Sequence, residues 1–150
     1  MTIPCVTIDA SAAVRWILDD EGNRAGALAL RSALVEGRVT AVEPLHFLVE
    51  VAGAMDRAVR DGRIEADRAR TALLALEAMA FDNGPPVAAA IDAFDVATSS
   101  GLRVPDAAYI VCAARNHAQL VTADHRQREA AEQAGIAVVA LSDLPPWRTS

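Results

Sequence analysis

Three aspartates stand where an open α/β sheet gathers its ligands. Asp9 follows the short apolar run Cys5-Val6-Thr7-Ile8, and Asp124 follows Leu120-Val121-Thr122-Ala123. Asp106 comes directly after Pro105, in the first turn of an expected helix, where it complements the helix dipole. In open α/β sheets, ligands bind outside the carboxyl ends of the strands. Glu50 can join the three from the polar side of its own helix, together with Glu43, His46 and Arg57. Carboxylates brought that close repel strongly. At about 4 Å the cost is on the order of 4 kcal/mol per pair at an effective dielectric of 20. Such a cluster shares protons or binds hard cations, and an all-oxygen donor set suits Mg²⁺ or Mn²⁺. Each residue also fits a plainer role, as turn residue, helix cap or dipole partner. Spacing alone leaves both roles open.

The elements that must position these residues follow from the apolar pattern. Residues 5–8 read as a buried strand, and Ser11 as the N-cap of the helix after it. Residues 25–35 form a second expected helix, stopped at Gly37. Residues 39–42 suit a short strand. Pro44 opens a helix running to about Arg60, with Leu45, Leu48, Val49, Ala52 and Val59 as its apolar stripe. Helices are expected over 65–81, over 87–99 and from Pro105. Residues 120–122 and 136–141 read as strands, separated by a helix over 125–134. The order predicts an α/β fold, a central mostly parallel sheet of about four to five short strands flanked by helices. Neither a repeat nor a linker interrupts it, so residues 1–150 are expected as one domain, with a loosely held tail after about 142.

Composition narrows the chemistry. A chain of 150 residues, just over half of them apolar, can bury a core. The net charge is −6, so a nucleic-acid partner would need a local basic patch. All fourteen basic residues are Arg. The lack of Lys argues against a receiver domain or a haloacid-dehalogenase-type phosphatase, because both rely on a Lys beside the phosphoryl group. The phosphatase pattern also wants Asp where Ser11 stands. His46, His117 and His125 show no zinc spacing. Cys5 and Cys112 form no disulfide framework and read as small buried hydrophobes. With no signal-peptide pattern and no apolar run of membrane length, a cytoplasmic protein is expected. If the partner is a nucleic acid, Arg15, Arg103, Arg115 and Arg126 are candidates for contacting its phosphates. Trp16 is expected in the core, and Tyr109 is a candidate for stacking on a base.

Ile8-Asp9-Ala10-Ser11-Ala12, Pro44-Leu45 with Glu50, Pro105-Asp106-Ala107-Ala108-Tyr109 and Leu120-Val121-Thr122-Ala123-Asp124 resemble the four motifs of the PIN-domain nucleases. The resemblance is strongest to the VapC-type toxins of bacterial toxin–antitoxin pairs, and it runs from Ile3 to about Leu141. It implies a ribonuclease in which Asp9, Glu50, Asp106 and Asp124 bind Mg²⁺ or Mn²⁺, with Ser11 and Thr122 orienting carboxylates. It implies a small antitoxin protein as partner. It also implies a homodimer, for which residues 25–35 and 45–59 are the candidate surfaces. A PIN-like fold kept only for binding or dimerisation is the first rival, and the complete acidic set argues against it. A structure-specific DNA nuclease is the second, and the chain lacks long insertions to grip branched DNA.

Overall fold

A computed structural model describes residues 3–79, 81–83 and 86–141. The expected loose tail after 142 lies outside them. Five parallel strands form one sheet, in the order β3-β2-β1-β4-β5. They are β1 Cys5–Ile8, β2 Thr40–Glu43, β3 Asp82–Asn83, β4 Gln119–Thr122 and β5 Val138–Ala140. Val6, Ile8, Leu120 and Val121 are fully buried. Short strands that read as continuous apolar runs are what a parallel sheet covered on both faces requires.

Seven helices flank the sheet: α1 Ala10–Ala13, α2 Arg24–Val35, α3 Phe47–Arg60, α4 Ala66–Glu77, α5 Pro86–Ser100, α6 Val104–Arg115 and α7 His125–Gln133. A 3-10 turn over Val14–Trp16 continues α1. Trp16 is in the core, where its indole N–H donates to the Ala27 carbonyl at 2.7 Å. β1 is central. The chain leaves it toward β2 on one side and later returns to β4 on the other, which puts the reversal of strand order beside β1. That is where the carboxyl ends of such a sheet leave a crevice.

The structure corrects several details of the sequence reading. Asp9, not Ser11, is the N-cap of α1, because its extended backbone turns its carboxylate back onto the Ser11 N–H. α3 starts at Phe47 rather than Pro44, and its buried row is Phe47, Val51, Met55 and Ala58. Leu45 and Val49, expected in the apolar stripe, are exposed. Phe47 decides this rotation: it packs edge-on against Phe81, with ring centroids 5.2 Å apart. The 47/51/55/58 spacing then carries the stripe into the core. α4 ends at Glu77, so the expected continuation to residue 81 gives way to the two-residue strand β3 on the sheet edge. Cys112 is buried as expected, whereas Cys5 is only half-buried.

Candidate metal centre

Asp9 leaves the end of β1 and is 5 % exposed. Its Oδ2 accepts from the Ser11 hydroxyl at 2.5 Å, from the Ser11 N–H at 3.2 Å and from the Thr122 hydroxyl at 3.3 Å. Both hydroxyls are tied in turn to the chain after β4. The Ser11 oxygen accepts the Ala123 N–H, and the Thr122 oxygen accepts the Asp124 N–H at 2.9 Å. Two strand ends are thus bonded through side chains that also hold one carboxylate. Burial pushes the Asp9 carboxyl above its usual pKa. Its bonds to Ser11 oppose that rise, and the nearby charges of Glu50 and Asp106 add to it.

Glu50 and Asp106 complete a set of three. One carboxylate oxygen from each of Asp9, Glu50 and Asp106 lies within 4.8 Å of the others. Glu50 sits in the first turn of α3, half-buried at the flank of its buried row. Tyr109 aims it, donating its hydroxyl to Glu50 Oε2 at 2.8 Å. Tyr109 is fully buried, so the expected stacking on a base is corrected. Burial above all, and then the charge of Glu50, push the phenol far above its usual pKa, so it remains a donor. The His46 ring packs edge-on against Tyr109, and His46 Nε2 lies 3.0 Å from the Pro105 carbonyl oxygen. Asp106 opens α6, and the fork of Arg103 rests on it, Nε to Oδ2 at 3.1 Å and Nη2 to Oδ1 at 3.5 Å.

Asp124 lines the same cleft but is not one of the set of three. Its Oδ1 accepts the Gln127 N–H at 3.1 Å, capping α7. The cleft has a volume of about 660 Å³ and also receives Arg15, Arg57, Arg63 and Arg103. Of the arginines proposed from sequence, Arg15 and Arg103 are therefore in it. Arg115 pairs with Asp92 and lines a different cavity, and Arg126 donates to the Gly101 carbonyl outside the cleft. Arg115 and Arg126 thus lie outside the cleft.

Two buried residues escaped the sequence reading. Gln127 is 1 % exposed and donates to the Asp106 carbonyl at 2.9 Å and to Asp9 Oδ1 at 3.5 Å. Glu43, expected on a polar face, is also 1 % exposed, and its Oε1 accepts the Ile8 N–H at 2.7 Å. Burial holds its carboxyl well above the usual range, with Asp9 adding to the rise. The apolar neighbours Val42 and Pro44 could have signalled Glu43, but Gln127 stands between Arg126 and Arg128, and both residues find their partners far away along the chain.

The donor set fits a hard divalent cation. It offers only carboxylate oxygens, with hydroxyl, phenol and amide groups orienting them, and its mutual repulsion is what a cation would relieve. The family description "PIN domain" matches residues 6–133. No curated protein matches the chain in sequence. Among solved structures, the crystal structure of PAE2754 from Pyrobaculum aerophilum superposes with a TM-score of 0.68 at 20% identity, covering 94% of this chain and 92% of that one. At that identity the likeness is one of fold.

Proposed function

The chain belongs to the PIN-domain family, and from that premise we propose that it is a Mg²⁺- or Mn²⁺-dependent endoribonuclease, the toxin of a VapBC-type pair. PIN domains are generally metal-dependent nucleases. The observation that carries the finer reading is the set of Asp9, Glu50 and Asp106 in a solvent-reachable cleft that also holds arginines. A divalent cation bound there would supply Lewis acidity and a water of lowered pKa. Asp9 and Asp106 would hold it directly, and Glu50, steadied by Tyr109, would complete the set. Asp124, outside that set and bonded to the start of α7, would act through water. Ser11 and Thr122 keep the Asp9 carboxylate in one orientation, and a carboxylate would accept the proton of the attacking water. Arg103 neutralises Asp106 in the structure, a role that a bound cation would take over.

The test is cleavage of RNA by the whole chain with Mn²⁺, with EDTA, and by Asp9→Asn. Cleavage by the native chain with Mn²⁺ alone is expected. Equal RNA integrity in all three would remove the nuclease reading in favour of a binding module, and cleavage of branched DNA alone would favour the DNA nuclease.

The antitoxin reading draws on a second cavity that shares Glu50 with the cleft. It has a volume of about 380 Å³ and an almost wholly apolar lining, including Pro44, Leu45, Val104, Pro105 and Ala108. A partner segment with apolar side chains would fill it and lead a basic side chain to the carboxylates, as Arg103 already shows at Asp106. The net charge of −6 favours a basic partner. Exposed Val35, Leu45 and Val49 support a homodimer through residues 25–35 and 45–59. Action in the cytoplasm, where the RNA is, completes the reading. Growth and RNA integrity in cells expressing the chain alone, or with its genomic neighbour, test the pair. Equal outcomes would remove the toxin role and leave the nuclease.

A further inference from the structure

Four arginines line the cleft, and three of them are engaged. Arg15 donates to the Gly22 and Ser11 carbonyls and pairs with Glu21. Arg63 forks onto Asp20 and reaches Glu21. Arg103 holds Asp106. Arg57 alone of the four has no ion pair or hydrogen bond from its side chain among the described residues. In a chain with twenty acidic residues against fourteen basic ones, a cation left without a partner inside a cleft is unusual.

Its place on α3 gives the vacancy a direction. Glu50, Gly53 and Arg57 lie three and four residues apart, so they share one face of the helix. Helical side chains lean toward the N-terminus. Arg57 does so: its Nη1 would be 3.8 Å from a Cβ built on Gly53. The guanidinium therefore folds back over Gly53, toward Glu50. Because Gly53 has no side chain, the floor between the carboxylates and the guanidinium is open. The helical rise puts Arg57 about 10 Å along the axis from Glu50. Val14 and the exposed Val49 line the same cleft and offer apolar surface beside that track.

Resting on the nuclease reading above, we propose that Arg57 binds a backbone phosphate of a single-stranded nucleic acid, next to the phosphate that a cation on the carboxylates would hold, so that the strand runs along α3 over Gly53. A guanidinium fork suits a phosphate. A single strand offers both charge for Arg57 and base faces for the apolar wall, whereas a duplex keeps its bases stacked inside. Phosphate contacts of this kind fix register and carry no sequence information. Arg57 is a binding residue, apart from the reacting atoms.

The experiment measures fluorescence anisotropy of a labelled single-stranded RNA oligonucleotide at several salt concentrations, with Ca²⁺ present and RNA integrity checked on a gel. The whole native chain is compared with Arg57→Ala and with Arg70→Ala, a control on exposed α4 away from the cleft. Arg57 is exposed, so its truncation leaves the melting temperature unchanged. Expected for Arg57→Ala are binding weaker by about tenfold and a salt slope reduced by about 0.7, with Arg70→Ala unchanged. In Mn²⁺-dependent cleavage, KM rises and kcat is kept, as for lost uniform binding. Native affinity and slope in Arg57→Ala would overturn the phosphate site while leaving the nuclease reading intact. A native chain that neither binds nor cuts RNA would overturn both. A duplex that competes as well as the strand would overturn the single-strand assignment.

Discussion

Two cavities meet at Glu50, and they are built on opposite terms. The cleft is lined by carboxylates and arginines, and its walls come from the chain after β1, α1, α3, α6 and the chain after β4. The neighbouring groove is lined mostly by proline, alanine and aliphatic side chains from the turn before α3, from α5 and from α6, with His46, Glu50 and Arg115 among them. The first concentrates charge that only a cation or a polymer of phosphates could satisfy. The second offers area to be covered and almost nothing to hydrogen-bond. On the proposed function, the contrast separates what cleavage would need from what control would need, with Glu50 lining both cavities. Substitutions in the two regions should therefore fail in different ways.

The largest effect is expected in the cleft, at Asp9→Asn. The change keeps the size of the side chain and removes one of three clustered charges. RNA cleavage should fall by about a thousandfold or more, because the metal water and the charge on the phosphoryl group lose their support. The rise in melting temperature on adding Mn²⁺ should shrink with it. A native rise in Asp9→Asn would show that the cation is held elsewhere.

Tyr109→Phe comes next. Among the described residues its phenol makes the one hydrogen bond on the Glu50 carboxylate, with His46 Nε2 4.0 Å from the other oxygen, so removal loosens the hold on that carboxylate. Loss of an orienting partner typically costs about 10–100-fold in metal affinity or activity. The expected signature is a higher Mn²⁺ requirement, with cleavage recovering at saturating metal. Unchanged metal dependence would mean that Glu50 is held by its helix alone.

These two residues also mark what could be read before folding and what could not. Asp9 and Asp124 are legible because a carboxylate after a short apolar run has few addresses, and Asp106 because Pro105 announces a helix start. The parallel sheet is legible from the alternation of apolar runs and helices. Tyr109, Gln127 and Glu43 are different. Tyr109 and Glu50 are far apart along the chain, and nothing local distinguishes a tyrosine that stacks on a ligand from one that aims a carboxylate inside the core. Glu43 looks like any acidic residue before a proline, until β2 carries it into the sheet beside Ile8. The rotation of α3 was hidden for a related reason. Leu45, Val49 and Phe47 are all apolar, and the row that turns inward is settled by distant partners, among them Phe81 against Phe47 and Leu18, Ile64 and Ala69 in the cluster that holds Met55 and Ala58.

A smaller effect is expected in the pH dependence of metal-free stability. Asp9 and Glu43 both have carboxyl pKa values raised by burial in the folded protein. The folded chain therefore binds more protons than the unfolded chain between the ordinary carboxyl range and the raised values. Stability is then fully helped below the unfolded pKa, near 4, and that help is lost as pH rises through the folded values. In EDTA, melting should occur at a lower temperature at pH 8 than at pH 5.5. For a chain of this size each kcal/mol corresponds to about 2–4 °C. Mn²⁺ should restore much of the loss at pH 8, because it compensates the ionised cluster. Glu43→Gln should flatten the profile while keeping an acceptor for the Ile8 N–H. Metal-free stability that rises from pH 5.5 to 8 would contradict the sign.

The smallest effect on catalysis is expected in the apolar groove, and it is the most telling for the contrast between the two cavities. Leu45 is exposed and lines the groove without lining the cleft. Leu45→Ser removes apolar area that a single copy of the chain leaves exposed, so it should not destabilise the fold as a core truncation would. Cleavage by the purified protein should stay within about twofold of native, since exposed positions remote from reacting groups change little. A partner that covers the groove would lose the burial of the leucine, roughly 1.5–3 kcal/mol when the side chain is fully covered, or at least tenfold in affinity. Isothermal titration with the product of the neighbouring gene reads the affinity, and cleavage in its absence reads the site. If the substitution impaired cleavage by the isolated chain while leaving partner affinity native, the groove would belong to the substrate, and control would have to be exerted from the cleft itself.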